Sequence, residues 1–94
     1  MAFYVYFLAS QRNGTIYIGS IDDLINRVMR HKEGLHPGFT ARYGAVMLVY
    51  CEQHDTRDDA FRRERQMKKW NRAWKIGLIE RFNPGWRDLL DDLL

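Results

Sequence analysis

Three short runs dense in aromatic and β-branched residues alternate, along this chain, with stretches whose apolar positions recur at helical spacing. Residues 3–10, "FYVYFLAS", predict a first strand. "QRNG" follows, and its Asn13-Gly14 pair signals a two-residue hairpin turn, because both residues tolerate positive φ. "TIYIGS" then predicts the second strand of an antiparallel hairpin, with Gly19 ending it where the backbone turns or something approaches closely. In "DDLINRVMRHKEG", Leu24, Ile25, Val28 and Met29 fall at helical spacing. They predict a helix over about 22–33, capped by Ser20 or Asp22 and closed by Gly34. Residues 35–44, "LHPGFTARYG", predict a loop. "AVMLVYCEQ" is a nearly continuous apolar strand of the kind expected in the middle of a small sheet. A second helix starts near Thr56 and runs through "RDDAFRRERQMKKW". A third, "RAWKIGLIERF", stops before Asn83-Pro84-Gly85. The tail "WRDLLDDLL" predicts a short amphipathic turn or helix. The order is ββαβαα, an α+β fold with a three-stranded antiparallel sheet flanked by helices.

Composition narrows the class. With 94 residues, 46% hydrophobic and 29% charged, the chain predicts one globular domain over 1–94. No apolar run approaches the roughly 20 residues of a membrane helix, so no membrane partner is expected. The start Met-Ala-Phe-Tyr lacks a basic segment followed by an apolar one, which leads to the expectation of a cytoplasmic protein. Cys51 stands alone, so neither an internal disulfide nor a structural zinc site is expected, and it reads as a core or strand-end residue. The net charge of +3 matters less than its distribution.

The candidate chemistry is spread over three elements. Arg27 and His31 are four residues apart and share a helical face; one is a bidentate phosphate ligand, the other a proton carrier near neutral pH. Tyr4 and Tyr6 share one face of the first strand, and the hairpin brings Tyr6 near Tyr17. Those phenols are either hydrogen-bonding groups for a phosphate or water, or cross-strand packing. Within "RRERQMKKW", Glu64 is the only acid among Arg62, Arg63, Arg65, Lys68 and Lys69. It is a local ion-pair partner or a single-carboxylate magnesium ligand. The basic run continues through Trp70, Asn71, Arg72, Trp74 and Lys75. That interleaving suits a phosphate backbone with unstacked bases, and equally an amphipathic helix burying Trp70 and Trp74.

Taken in order, Tyr4-Val5-Tyr6, Tyr17-Ile18-Gly19, "DDLINRVMRH", "FTARYG" and "AFRRERQMKKWNRAWK" resemble the GIY-YIG nuclease superfamily. The likeness is strongest to its small single-domain proteins similar to the catalytic domain of the excision-repair endonuclease C subunit. It covers residues 3–82, leaving 83–94 as a C-terminal tail. Two departures stand out. Tyr4 replaces the leading glycine of the first motif, and Ser20-Ile21 follow the second where the family usually has Val, Ile or Leu and then Thr. The resemblance implies a metal-dependent endonuclease that hydrolyses phosphodiester bonds in DNA, in repair or recombination. Tyr6, Tyr17, Arg27 and His31 match the catalytic positions. Glu64 matches the ligand of one Mg²⁺ or Mn²⁺. Asn71 is the nearest match to the family's late asparagine. DNA, branched or damaged, is the implied partner, with Arg62, Arg63, Arg65, Lys68, Lys69 and Arg72 as its contacts. Tyr6, Tyr17, Arg27, His31 and Glu64 are expected to converge in one shallow basic groove.

Two alternatives stay open from the residues. A GIY-YIG-type module that binds nucleic acid and cleaves weakly or not at all would carry the same basic helix. The apolar tail residues Trp86, Leu89, Leu90, Leu93 and Leu94 either close the chain's own core or offer a surface for self-association.

Overall fold

The computed structural model of the chain describes residues 2–34 and 42–94. The elements are β1 (Phe3–Ala9), β2 (Ile16–Ile21), α1 (Leu24–Lys32), β3 (Met47–His54), α2 (Arg57–Lys68), α3 (Arg72–Phe82) and α4 (Leu90–Leu93). The α+β order ββαβαα is the one expected, with the short α4 added from the tail. Most of the predicted loop at 35–44 lies outside the described residues. No helix among the described residues is long and apolar enough to cross a membrane.

The sheet order is β2-β1-β3, both pairings antiparallel. The central strand is therefore β1, and the apolar run of β3 lies at an edge rather than in the middle. A continuous apolar run reports that both faces are covered, not that both neighbours are strands. Both faces of β3 are covered: Leu48 and Val49 are fully buried, Leu48 among residues facing α1 and Val49 among residues facing α2 and α3. Its outer edge is closed by the tail. Leu89 N donates to Leu48 O at 2.7 Å, and Leu48 N donates to Asp88 Oδ1 at 3.3 Å. The ladder with β1 skips Val49, and Asn83 Nδ2 donates to the Val49 carbonyl at 3.0 Å. A free strand edge is a template for aggregation. Here Asp88 and Leu89, leading into α4, occupy it.

The hairpin is looser than a two-residue turn. Ala9 faces Ile16, Ser10 N donates to Thr15 O, and Gly14 N donates to Gln11 O. Only Asn13 takes positive φ, at 59°; Gly14 does not need it. Gly19 does not end β2 but sits inside it, opposite Tyr6. Local caps then set the helices. Asp23, not Ser20 or Asp22, caps α1 by accepting from Asn26 N, since Ser20 is still in the strand. Thr56 caps α2 and Asn71 caps α3. Gly34 follows α1 at φ 73°, donating to His31 O at 3.1 Å.

Side-chain alternation divides the sheet into two faces. Tyr6 and Leu8 of β1 pack with Leu24 and Val28 of α1 and Leu90 of α4. Val5, Phe7 and Ile18 pack on the other face with Ala60 and Met67 of α2, Ile79 of α3 and Trp86. Trp86 and Leu90 of the tail thus close the core, whereas Leu93 and Leu94 lie exposed. Met29 and Trp74 are among the apolar positions that fall outside the core. They are 42% and 61% exposed, because each lies on the side of its helix that no other described element covers.

Candidate active site

Alternation along β1 sends Tyr6 toward α1, and the register sets it directly over Gly19. An added Cβ at Gly19 would lie 2.6 Å from Tyr6 Oη and 2.7 Å from Tyr6 Cζ. The glycine of the second motif is there to let the phenol cross the strand, and its backbone needs no special φ. Gly19→Ala is expected to push that ring aside. Nicking should slow about tenfold to a hundredfold, since an ångström of misplacement at a reacting group costs that much. Stability should fall by about 1–3 kcal/mol. A melting curve beside a plasmid-nicking rate separates the two effects.

Three rings meet at this point. The centroids of Tyr6 and Tyr17 are 6.2 Å apart, Tyr6 and His31 6.4 Å, and Tyr17 and His31 5.8 Å. Tyr6 and His31 are buried, whereas Tyr17 and Arg27 are half-buried. Burial pushes the Tyr6 phenol well above the ordinary range, Tyr17 adds to the rise, and the Arg27 guanidinium opposes it. Its hydroxyl is buried, and the polar side chains it faces are those of Arg27 and Tyr17. Arg27 also opens on a shallow hollow of about 300 Å³ that it lines with Arg30, Asn26, Asp22 and Asp23.

Glu64 comes from the opposite layer. It is 9% exposed on the inner side of α2. Ser20 Oγ donates to its Oε1 at 2.5 Å, and Lys68 Nζ lies 2.6 Å from its Oε2. Ser20 alternates with Gly19 along β2, so Glu64 reaches the strand from the face away from the phenols. The groups are therefore arranged around β2, an edge strand of the sheet among the described residues, rather than sunk together in a single groove. Tyr17 and Lys68 share an open hollow of about 240 Å³ with Ile16, Ile18 and Lys75, which links the two sides.

Among the described residues no group of three or more His, Cys, Asp or Glu side chains gathers to hold a metal. Glu64 alone still fits a lightly held, oxygen-seeking dication. Such an ion keeps most of its waters and needs one or two carboxylates plus a substrate phosphate. The competing ammonium belongs to Lys68, whose side chain is half exposed, and a screened pair of that kind is weakly held.

The other expected contacts divide. Arg62, Arg65 and Lys69 project outward from α2. Arg63 is occupied: its Nε donates to Glu52 Oε2 at 3.0 Å, and it lies over Trp70. Burial raises the Glu52 carboxyl, but hydrogen bonds from Tyr50, His54 and Arg63 outweigh it and leave the group below the usual carboxylate range. Arg72 is occupied too, donating to Asn13 O and Gly14 O of the hairpin at 2.5 and 2.6 Å. Asn71 is a helix cap, accepting from Trp74 N at 2.8 Å. The asparagine buried in the fold is Asn83. Sequence reasoning missed it and missed Ser20. The second had a signal: its position on the inward face of β2 leaves a hydroxyl that needs a partner.

A three-stranded antiparallel sheet with two tyrosines crossed at a strand glycine, an arginine and histidine on the first helix and an acid on the second defines a nuclease-type fold. A family model described as the GIY-YIG catalytic domain matches residues 2–77, and the chain belongs to the GIY-YIG family, a nuclease superfamily. Among its relatives is the UPF0213 protein SSP2268 of Staphylococcus saprophyticus, 33% identical over 81% of this chain and 92% of that one. A UPF0213 protein of Pediococcus pentosaceus is 38% identical over 84% of this chain and 82% of the relative. The solution NMR structure of the UPF0213 protein BH0048 from Bacillus halodurans aligns with a TM-score of 0.57 and 26% identity, covering 94% of this chain and 93% of that one.

Proposed function

We propose that the chain is an endonuclease hydrolysing phosphodiester bonds in DNA, at the β2 edge of the sheet, in repair or recombination. The observation that carries this is the crossing of Tyr6 over Gly19 into van der Waals neighbourhood with Tyr17 and His31, under the influence of Arg27. Simple packing does not call for a buried phenol hydroxyl facing an arginine and a second phenol.

Roles follow from burial. Tyr6 keeps its proton throughout the physiological range, because its ionisation is pushed upward. It therefore acts as a hydrogen-bond donor and holds a phosphate oxygen or the attacking water. Tyr17 is half exposed and is the phenol that reaches a water beside the substrate. His31, ring to ring with it, takes up the proton released there. Arg27 binds the scissile phosphate and neutralises the charge that grows on it. Glu64 is the residue that would hold Mg²⁺ or Mn²⁺. A bound dication would supply Lewis-acid stabilisation of the leaving oxygen. Displaced from Glu64, Lys68 is free to pair with a phosphate of the backbone.

A second function is favoured by one observation. Both oxygens of Glu64 are taken, by Ser20 and Lys68, an arrangement that suits a nucleic-acid-binding module that cleaves weakly or not at all. Supercoiled plasmid and branched duplex incubated with Mg²⁺, Mn²⁺ or EDTA decide between them. Nicking with either metal and none in EDTA is the expected result. Retarded bands without nicking under any metal identify the binding module.

A further inference from the structure

The outward face of α2 and α3 carries a feature that the site at β2 does not use. Phe61 and Trp74 are 51% and 61% exposed. Together with Arg62, Arg65, Lys69 and the half-buried Trp70, they border an open hollow of about 660 Å³, which also receives Gln66 and a single acid, Asp58. A second hollow of about 400 Å³ shares Trp70 and Trp74 and ends at Arg81. The two indoles stand edge to face, 6.1 Å apart and at 83°. Arg65 lies over Phe61, and Arg63 over Trp70. Arg65 thus sits on a ring; Arg63 sits on a ring and also pairs with Glu52 at 3.0 Å, and the Arg62 guanidinium is 3.8 Å from Asp59.

From this groove we infer that the α2–α3 face is a binding site for an unpaired nucleic-acid strand. Every base has a flat π-face, and exposed aromatic rings in a cationic groove bind single strands by stacking with little regard for sequence. Indoles set at a right angle give a planar ring one wall to stack on and one to meet edge-on. Arg62, Arg65, Lys69 and Arg81 supply charge for the backbone along the same path. A duplex has its bases stacked inward and cannot use the rings, so the face selects for unpaired segments. An acidic peptide would satisfy the cations but leaves the flat, right-angled corner without a matching group.

Lys68 and Lys69 are consecutive, Lys68 on the hollow of Tyr17 and Lys69 on the aromatic groove. A strand passing from the β2 edge around α2 thus meets the aromatic groove next. Its use in choosing substrates with a single-stranded part rests on the nuclease proposal above; the binding itself does not.

The test is done in EDTA, so that cleavage plays no part. Wild type and Trp74→Ala are titrated with an oligothymidylate of about 15 nucleotides and with a blunt duplex, following intrinsic tryptophan fluorescence and anisotropy of a labelled strand. The oligothymidylate should quench the wild-type fluorescence. Trp74→Ala should bind it about tenfold or more weakly, with duplex affinity changed less than about twofold, and Trp74→Phe should restore most of the loss. Arg65→Ala should lower the slope of log affinity against log salt by about 0.7. Absence of quenching, an unchanged affinity in Trp74→Ala, or equal losses for single strand and duplex overturns the inference. So does sedimentation showing a wild-type dimer that Trp74→Ala converts to monomer, since the rings would then face a second copy. Trp74 is exposed, so circular dichroism of the variant should match wild type. A chain that binds the oligonucleotide yet never nicks supports the groove while rejecting the nuclease proposal.

Discussion

Glu64→Gln is expected to remove metal-dependent nicking by about a thousandfold or more, the several kcal/mol that a dication at the leaving oxygen contributes. The substitution is chosen for what it leaves intact. The amide oxygen of glutamine still accepts from Ser20 Oγ, the bond that ties α2 to β2, so the fold should survive and the melting temperature should move little. Only the charge is lost, and with it the attraction for the ion and for Lys68. Affinity for DNA should hold or rise slightly, because Lys68 loses its acid and becomes available to phosphate. Nicking rates with Mg²⁺ and Mn²⁺, a melting curve and a gel shift together check this. A variant that nicks at the wild-type rate would remove Glu64 from the metal site, and the binding-module function would then account better for its two occupied oxygens.

The second large effect falls on stability, at Trp86. Truncation to alanine should cost about 3–5 kcal/mol, the usual range for emptying a large buried aromatic site. That is a major share of the 5–15 kcal/mol of a whole small domain, and the melting temperature should drop by more than about 10 °C. The loss exceeds the cavity alone because of what Trp86 organises. Its indole packs in the core cluster with Val49, Met67 and Ile79, and Nε1 donates to Glu80 Oε2 at 2.9 Å. It closes a turn, donating from its backbone to Asn83 O at 3.0 Å. Asn83 in turn donates to Val49 O and Arg87 O and accepts from Arg87 N. Loss of the indole loosens that turn and the tail hydrogen bonds along the edge of β3. Urea or thermal unfolding monitored by far-ultraviolet circular dichroism measures it; a melting temperature within a few degrees of wild type would mean that the tail is dispensable to the core.

The candidate site is arranged around an edge strand of the sheet. Three rings are locked by packing on one side of β2, and a carboxylate is locked by a hydroxyl on the other. Ser20, where the family pattern usually differs, holds that carboxylate. Such rigid support is what a reacting group needs to keep its geometry. Tyr17 and Arg27 are the half-buried members of the group.

What the sequence determined by itself was local, together with the family. Dense apolar runs and helical periodicity located the strands and helices, down to the span of α3 at 72–82, because periodicity is decided by neighbours in the chain, although the α1 cap proved to be Asp23 rather than Ser20 or Asp22. The ordered motifs carried the likeness to the GIY-YIG family through residues that lie far apart in space. Strand order was decided only in three dimensions: burial looks the same for a central strand and for an edge strand covered by a tail. The same holds for Gly19, whose purpose is the space occupied by Tyr6 from another strand. Asn83 belongs here too, since its partner is a carbonyl that a skipped ladder position in β3 leaves open. Glu64 shared its helix with five cations, and nothing local said which side of β2 it would approach. Trp70 and Trp74 fit both a buried and an exposed face, and only the packing of α2 and α3 on the sheet left Trp74 in solvent. Distant contacts settle such choices because hydrophobic periodicity records how much of a side chain is covered, not by what.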